Sequence, residues 1–226
     1  MAEFVRMPST MWTQISQARR QGGQALEDLL KKYRPPILAF IRNHVSSAEE
    51  AEDLTQDVFL RIVQEHVLEK ADKDAGRFRS LLLAVARHTV QTRKRDQHRL
   101  KRGGGRSRAD LDDLHLGELL AAPEGKDEAF DPLWIHNLVR LAMEALQAES
   151  ERIGLPYHRA LQLYVDKGLG YPAIAQELGK SVGDIKNFLH QARIRLKRHV
   201  ANEIRGYSSS RGEYEAEIAH LMKFLE

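Results

Sequence analysis

Apolar residues recur every three or four positions through most of this chain, and this spacing restricts the fold more than any other feature. The first such stretch runs from about Gln24 to Val45 and carries Leu26, Leu29, Leu30, Tyr33, Ile37, Phe40 and Ile41. A period near 3.6 residues places such side chains on one face of a helix. The sequence has neither alternating β-branched runs nor Asn-Gly hairpin turns, which are the usual signals of strands. The sequence therefore predicts an all-α protein.

Prolines and capping residues predict where the first helices bend and begin. Pro35-Pro36 should break or kink the first helix, because each ring removes a backbone donor. Ser47 is predicted to open the second helix, since Glu50 stands three positions later in the pattern of a capping box. The apolar stripe of that helix is Ala51, Leu54, Val58 and Ile62. A third helix continues into a basic tract, ends before Gly103, and carries Phe78, Leu81, Leu82, Val85 and Ala86.

The helical periodicity is lost between Gly103 and about Phe130, where glycines, a proline and scattered acids predict a flexible linker. The sequence thus divides into two small helical domains joined by an acidic linker, followed by a short helical tail. The predicted boundaries are 12–102 for the first domain, 103–131 for the linker, 132–205 for the second domain and 206–226 for the tail.

The second domain is predicted to open at Asp131-Pro132, where an N-cap residue precedes a proline at the first helical position. The apolar face of this helix is Leu133, Ile135, Leu138, Val139, Ala142 and Leu146. A shorter helix begins at Pro156 and ends at Gly168 and Gly170. Its predicted core residues are Ala160, Leu161, Tyr164 and Val165.

The sharpest local motif lies between Tyr171 and Leu196. Gly179 follows a short helix where a tight turn needs a left-handed residue, and Ser181 can cap the next helix. The apolar face of that next helix is Val182, Ile185, Leu189, Ala192 and Leu196, and its polar face shows Lys186, Asn187, His190, Arg193 and Lys197. This arrangement is typical of a DNA-reading helix-turn-helix, although an ordinary helical hairpin with a basic face is the alternative.

The charge distribution along the chain changes sign between the domains. Cations dominate from residue 87 to residue 108, where only Asp96 opposes Arg87, Arg93, Lys94, Arg95, Arg99, Lys101, Arg102, Arg106 and Arg108. Such a run on a helix end indicates a polyanionic partner, because phosphate relieves the repulsion. The linker is acidic instead, with Asp110, Asp112, Asp113, Glu118, Glu124, Asp127, Glu128 and Asp131. It either mimics nucleic acid or is an ordinary solvated linker.

Several classes of function lack their residues in this chain. There is no cysteine, which excludes disulfides and thiolate chemistry. A predicted turn from Asp72 to Gly76 faintly suggests a calcium loop, but Leu83 stands where the terminal glutamate would be. No His-Glu-x-x-His, Walker or Gly-x-Ser-x-Gly motif occurs. We therefore expect no enzymatic activity and no cofactor, and no membrane span or signal sequence, so that the protein is expected in the cytoplasm.

With these motifs in view, the chain resembles the extracytoplasmic-function RNA polymerase sigma factors over roughly residues 12 to 205. The stretch 51–61 resembles the polymerase-binding helix of region 2, and 76–87 resembles the segment that opens and reads the minus-ten element. The stretches 155–161, 171–179 and 185–193 resemble region 4. Trp12-Thr13, the Arg102-to-Gly105 junction and the helical tail resemble a planctomycete-like branch of the family.

The resemblance implies a role for each candidate residue. Core polymerase would be contacted through the clamp coiled coil of its largest subunit by Asp53, Gln56, Asp57 and Arg61. The melted minus-ten strand would be met by Phe78, Arg79, Ser80, Arg87 and His88. The basic tract adds Arg93, Lys94 and Arg95 as further candidate DNA-binding residues. The minus-thirty-five element would be read by Lys186, Asn187, His190 and Arg193. The acidic linker would thread the polymerase interior, and the polymerase flap, an anti-sigma factor or a kinase are further implied partners.

Some residues depart from the family pattern. Leu81, His88 and Thr92 stand where tryptophan, asparagine and aspartate are frequent, and Phe188 replaces a common arginine. These changes bear on promoter preference more than on the fold, and Phe188 is either a core residue or faces a partner. The alternative function is a helix-turn-helix regulator that acts without polymerase.

The tail from Gly206 to Glu226 carries an amphipathic stripe of Ile218, Leu221, Met222 and Leu225. We expect this stripe to pack on the second domain. A second interpretation is that the tail regulates the exposure of Lys186 and Arg193.

Overall fold

The computed structural model describes residues 24–64, 78–101, 129–208 and 210–222, and the regular elements within these ranges are all α-helices. They are α1 (Gln24–Arg42), α2 (Ala48–Gln64), α3 (Phe78–Lys101), α4 (Phe130–Ile153), α5 (Tyr157–Val165), α6 (Tyr171–Leu178), α7 (Val182–Tyr207) and α8 (Arg211–Met222). The chain divides into two compact units, Met1–Trp134 with Tyr207–Glu226, and Ile135–Gly206. The predicted all-α class is confirmed. Among the described helices, none has both the length and the apolar character that crossing a membrane requires.

The core of the first unit is built from the apolar stripes of α1, α2 and α3. The stripe of α2 is confirmed, since Ala51, Leu54, Val58 and Ile62 are at most 4% exposed. The buried residues of α1 and α3 include Tyr33, Ile37, Phe40, Ile41, Phe78, Leu81, Leu82, Val85 and Ala86. The side chains at positions 26, 29 and 30 lie outside the described residues. Burying each large apolar side chain contributes about 1.5–3 kcal/mol, so the three stripes dominate the stability of this unit.

Helix α1 runs through Pro35-Pro36 without ending, so of the predicted break or kink the break does not occur. A proline inside a helix costs about 3 kcal/mol, because it removes a hydrogen bond and crowds the preceding turn. Ile37, Phe40 and Ile41 follow directly and are at most 1% exposed. Tertiary packing of these three side chains offsets the local cost of the prolines. The prolines alone do not reveal this packing.

The predicted start of α2 agrees with the structure. The amide of Glu50 donates to Oγ of Ser47 at 3.3 Å, which satisfies one of the free donors at the start of α2. Helix α3 is described as far as Lys101, so its predicted end before Gly103 lies outside the described residues. The predicted turn at 72–76 and residues 103–128 of the predicted linker lie outside the described residues.

Helix α4 begins two residues earlier than predicted, at Phe130 and not at Pro132. Phe130 already belongs to the helix, so Asp131 lies in the first turn and does not act as the N-cap. Phe130 is fully buried and packs edge-on against Phe40, with the ring centroids 5.8 Å apart. This apolar contact draws the helix start back from the position that the Asp-Pro pair predicted.

A cluster of aromatic rings in the first unit joins α1 and α3 to Trp134 of α4 and to Tyr207, the last residue of α7. Tyr33 stacks on Trp134 at 5.0 Å with the planes 12° apart. Tyr207 meets Trp134 edge-on at 5.6 Å and lies 6.2 Å from Phe78. All four rings are at most 2% exposed. Such pairs contribute about 0.5–1.5 kcal/mol each beyond the area that they bury.

The tail belongs to the first unit, so the expectation that it packs on the second domain is wrong. In α8 the buried residues are Glu217, which is fully buried, and Leu221, whereas Ile218 is half-buried. The predicted stripe missed Glu217 because a carboxylate is usually solvated, and its buried position depends on distant partners that a local pattern does not reveal.

The second unit is a separate helical core formed by α5, α6, most of α7 and α4 beyond Trp134. Its cluster comprises Leu146, Tyr157, Ala160, Leu161, Leu163, Ile174, Ala175, Ile185, Phe188, Leu189 and Ala192. In α4, Leu138 and Ala142 are also buried, whereas Leu133, Ile135 and Val139 are half-buried. In α5, Ala160 and Leu161 are buried as predicted. Tyr164 and Val165 are 36% and 64% exposed, and Leu163 takes the core position that they were expected to fill.

Candidate nucleic-acid interface

The turn between α6 and α7 has the geometry that the helix-turn-helix prediction requires. Gly179 adopts a left-handed backbone with φ of 60°. Its amide donates to the carbonyl of Gln176 at 3.4 Å, and the amide of Lys180 donates to the carbonyl of Ala175 at 3.0 Å. This pair of bonds ends α6 in a Schellman motif and satisfies carbonyls that would otherwise lack donors.

The start of α7 is fixed by reciprocal hydrogen bonds between Ser181 and Asp184. The amide of Asp184 donates to Oγ of Ser181 at 3.1 Å, and the amide of Ser181 donates to Oδ2 of Asp184 at 3.0 Å. The hydrogen bond from the Ser181 side chain holds the pKa of Asp184 below its ordinary value. The predicted cap at Ser181 is confirmed. By fixing where α7 begins, it determines which of the following residues face the core.

Helix α7 separates a buried face from an exposed polar one. Ile185, Leu189 and Ala192 are buried, and Leu196 packs against the same core, whereas Val182 is 40% exposed and not buried as predicted. The four predicted base-reading residues are all exposed; they are Lys186, Asn187, His190 and Arg193. Phe188 is 9% exposed and meets Tyr157 edge-on at 5.8 Å, so it is a core residue.

An aromatic pair, of which Tyr164 is exposed and Tyr171 is half-buried, lies beside the polar face of α7. The guanidinium of Arg193 lies 5.5 Å from the ring centroid of Tyr164, and that ring lies 5.9 Å from the ring of Tyr171. A cation over an aromatic face is attracted by the ring quadrupole and is thereby restricted in direction. The sequence pattern assigned Tyr164 to the core, so its position next to Arg193 was missed.

Some cations of α7 already bind groups within the second unit. Glu149 receives Nη2 of Arg198 at 2.7 Å and contacts Nε2 of His199 at 2.8 Å. Although burial opposes ionisation, the hydrogen bonds of Arg198 and His199 hold the pKa of Glu149 below its ordinary value. Arg195 lies over the ring of Tyr157 at 4.5 Å. These contacts leave the N-terminal half of α7 as its main surface for an outside partner.

The predicted polymerase-binding residues lie on the side of α2 away from its core stripe. Asp53, Gln56 and Asp57 are exposed, and Arg61 is half-buried. They line a groove between α2 and α3, together with Leu60, which is 50% exposed. The sequence pattern did not single out Leu60, although its position outside the stripe of Val58 and Ile62 could have indicated it.

Two of the predicted DNA-contacting residues on α3 have partners on α2. Nε of Arg93 donates to Oε1 of Glu50 at 2.9 Å. Nη1 of Arg61 lies 3.2 Å from Nδ1 of His88, and because a guanidinium only donates, the imidazole nitrogen accepts. Burial first, then the charges of Arg61 and Arg95, lower the pKa of His88. The neutral form of His88 is therefore favoured, with Nδ1 accepting from Arg61 and Nε2–H left to donate.

The remaining cations of α3 differ in exposure. Lys94 and Arg95 are exposed, and Arg87 is half-buried. The side chains of Arg99 and Lys101, and residues 102, 106 and 108, lie outside the described residues. The exposed cations form a positive surface along the second half of α3, as the basic tract predicted.

The first turn of α3 is covered. Phe78 is 2% exposed and Arg79 is 5% exposed, whereas Ser80 is half-buried. Arg79 donates from Nε to Oε1 of Glu217 at 2.9 Å, and its Nη1 forms an ion pair with Asp131. Contact of Phe78 or Arg79 with DNA stays a prediction, and it requires that these neighbours first move away.

Comparison with known proteins agrees with this geometry. Residues 29–100 match the family model of sigma-70 region 2, and residues 143–196 match the family model of sigma-70 region 4. The first match lies in the first unit and the second match in the second unit. Together the two matches cover more than half of the 226 residues. A search of curated proteins found no match.

Proposed function

Because this chain belongs to the sigma-70 family of RNA polymerase sigma factors, of the extracytoplasmic-function type, we propose which of its surfaces performs each step of initiation. Sigma factors are transcription initiation factors, which direct core RNA polymerase to promoters. The task of the individual surfaces follows from their exposure, charge and geometry.

Core polymerase binds the groove between α2 and α3. Asp53 and Asp57 give the exposed side of α2 a negative charge, and Leu60 adds an apolar side chain that is half exposed. An apolar contact surrounded by charges is the usual composition of a specific protein interface. This surface suits a helical partner with basic side chains, which is the role that the family resemblance gives to the clamp coiled coil. A partner of core polymerase acts in the cytoplasm.

Helix α7 reads the minus-thirty-five element in the major groove. The capped N-terminus of α7 and its exposed Lys186, Asn187, His190 and Arg193 have the arrangement of a recognition helix. Lysine and arginine pair with the acceptors of guanine, and asparagine pairs with adenine, so this set can distinguish base pairs. This exposed polar face, on a helix that a Schellman turn and a cap hold in place, is the observation that carries the proposal.

The exposed cations of α3 hold the promoter near the minus-ten element. Lys94 and Arg95 suit the phosphates of either a duplex or a separated strand. The neutral His88 beside Arg61 offers a hydrogen-bonding group to an unstacked base. The branch within the family, the anti-sigma or kinase regulator and the path of the acidic linker remain predictions from the resemblance.

The assignment is tested by comparing DNA binding of the chain alone with that of the chain bound to core polymerase. Genomic fragments are incubated with each, and the retained DNA is sequenced. We expect the holoenzyme to retain fragments with two shared elements at a fixed spacing, and the chain alone to retain few. Tight and specific duplex binding by the chain alone would instead show a polymerase-independent regulator.

A further inference from the structure

Arg79 is enclosed by carboxylates from two segments that are distant in the sequence. Its Nε donates to Oε1 of Glu217 at 2.9 Å, and its Nη1 pairs with Oδ1 of Asp131. The side chains of Arg79 and Glu217 are 6% and 0% exposed. The other oxygen of Asp131 lies 2.7 Å from Nε2 of His220. The guanidinium is thus held between the first turn of α4 and the tail.

A chain of hydrogen bonds fixes the carboxylate of Glu217. The hydroxyl of Tyr207 donates to Oε1 of Glu217 at 3.1 Å, and Nε1 of Trp134 donates to the oxygen of Tyr207 at 3.3 Å. Burial, followed by the nearby charge of Glu217, raises the pKa of Tyr207 well above its ordinary value. Tyr207 therefore keeps its proton and remains a donor. We call Tyr207 together with α8 the C-terminal clasp.

The clasp covers a second residue of the same turn of α3. The ring of Phe78 lies 6.2 Å from that of Tyr207 and 5.5 Å from that of Tyr33. Displacement of Tyr207 would therefore uncover one side of an aromatic ring in the same helical turn as the guanidinium of Arg79. An aromatic face next to a cation is the pairing that binds single-stranded nucleic acid, since a base stacks on the ring and a phosphate binds the cation.

The guanidinium of Arg79 can exchange a carboxylate partner for a phosphate. A guanidinium binds carboxylate and phosphate oxygens with the same fork of donors. Attraction within a buried ion cluster is largely offset by the desolvation of its charges, so such a cluster specifies a docking geometry more than it adds stability. Asp131 and Glu217 can therefore give way to a phosphate that arrives together with other contacts.

We infer that Arg79 is an anion site which holds Asp131 and Glu217 in the free protein and a backbone phosphate of the melted promoter strand in the initiation complex. The clasp is thereby autoinhibitory, because it must leave before the first turn of α3 can bind DNA. This inference rests on the proposed function. It gives the tail a different role from the interpretation that the tail regulates the exposure of Lys186 and Arg193.

The experiment uses the full-length chain with Glu217→Gln, which removes the charge and keeps the shape of the side chain. Holoenzyme is reconstituted with core polymerase, and run-off transcription is measured from a promoter recovered by the DNA-retention experiment. We expect a rise of roughly tenfold at limiting holoenzyme, because one charge-assisted bond of the clasp is lost. The matched control is Glu215→Gln on the same helix, whose carboxylate is 60% exposed and pairs with Arg211 within α8. It should leave transcription unchanged.

A double variant shows whether Arg79 itself binds the strand. In the Glu217→Gln background, Arg79→Gln should cancel the gain in transcription, because the phosphate loses its cation. Unchanged transcription in Glu217→Gln, or a gain that survives Arg79→Gln, would overturn the inference. If circular dichroism shows that Glu217→Gln unfolds, Tyr207→Phe serves as a milder way to release the clasp. Absence of a gain in transcription in Tyr207→Phe would then overturn the inference.

Binding to core polymerase separates this inference from the proposed function. All variants are passed over a sizing column with core polymerase before transcription is measured. Co-elution of every variant without a gain in transcription refutes the clasp alone. Failure of the wild-type chain to co-elute refutes the proposed function, and with it the inference.

Discussion

Arg79 and Glu217 form a buried ion pair, with Nε and Oε1 2.9 Å apart, across 138 positions of the sequence. The pair joins the first turn of α3 to the C-terminal helix. It assigns the last described helix to the unit that matches sigma-70 region 2, and it places a predicted DNA-binding cation under the chain's own carboxylates.

Replacement of Arg79 by methionine should destabilise the free protein. The change leaves Asp131 and Glu217 buried without their cation, and breaking such a cluster from one side costs about 3–5 kcal/mol. Urea unfolding followed by circular dichroism measures the loss. Arg211→Met is the control, because the side chain of Arg211 is 83% exposed, and the unfolding free energy of this variant should match that of the wild type. Equal stability of the two variants would contradict a structural role for the pair.

Two glycines near the turn before α7 should respond to alanine with opposite signs. Gly179→Ala should destabilise by about 1 kcal/mol, because its φ of +60° disfavours a side chain although no neighbour would clash. Gly183→Ala lies within α7 and its new methyl would meet Oγ of Ser181 at an ordinary 3.6 Å, so it should stabilise by about 0.5–1 kcal/mol. Chemical unfolding of the full-length variants checks both signs, and a stabilising Gly179→Ala would disprove the left-handed turn.

The contact between Tyr164 and Arg193 should contribute to DNA reading. Tyr164→Leu removes the ring that restricts Arg193, and an exposed cation–π contact contributes about 0.5–1 kcal/mol, so affinity should fall about two- to fivefold. Fluorescence anisotropy with holoenzyme and a labelled minus-thirty-five duplex measures the change. Val165→Ala removes a neighbouring exposed side chain and should have no effect. Equal affinities of Tyr164→Leu and wild type would exclude this role.

Acid should destabilise the first unit partly through His88. Because burial and two arginines lower the pKa of His88 in the folded state, the unfolded chain binds the proton more readily. This contribution to stability is complete above the unfolded pKa of about 6.5 and is lost as the pH falls towards the folded value. Between pH 7.5 and pH 5.5, the melting temperature of His88→Gln should therefore fall less than that of the wild type. If the melting temperature of His88→Gln fell with pH as steeply as that of the wild type, the lowered pKa of His88 would be refuted.

The sequence predicted the features of the fold that depend on local patterns. The stripe of Ala51, Leu54, Val58 and Ile62, the cap at Ser47 and the turn at Gly179 were predicted because neighbouring residues determine each of them. The exposed face of α7 followed from the same periodicity.

The sequence did not predict features that depend on partners far along the chain. Buried Glu217 is met by Arg79 and Tyr207, and nothing within α8 indicates those contacts. The two prolines in α1 left a break and a kink open for the same reason, since packing that a local pattern does not show outweighs their cost and keeps the helix continuous. The covered state of Phe78 and Arg79 likewise became visible only in the structure.

The most direct test of the sigma-factor assignment is co-elution of the full-length chain with purified core RNA polymerase on a sizing column. We expect stable co-elution of wild type, and its loss in Asp53→Lys/Asp57→Lys, which reverses the charge of the exposed side of α2. The matched control, Glu144→Lys/Glu215→Lys, reverses two exposed carboxylates elsewhere and should co-elute like wild type. Absence of wild-type co-elution, or unimpaired co-elution of Asp53→Lys/Asp57→Lys, would contradict the proposed polymerase interface.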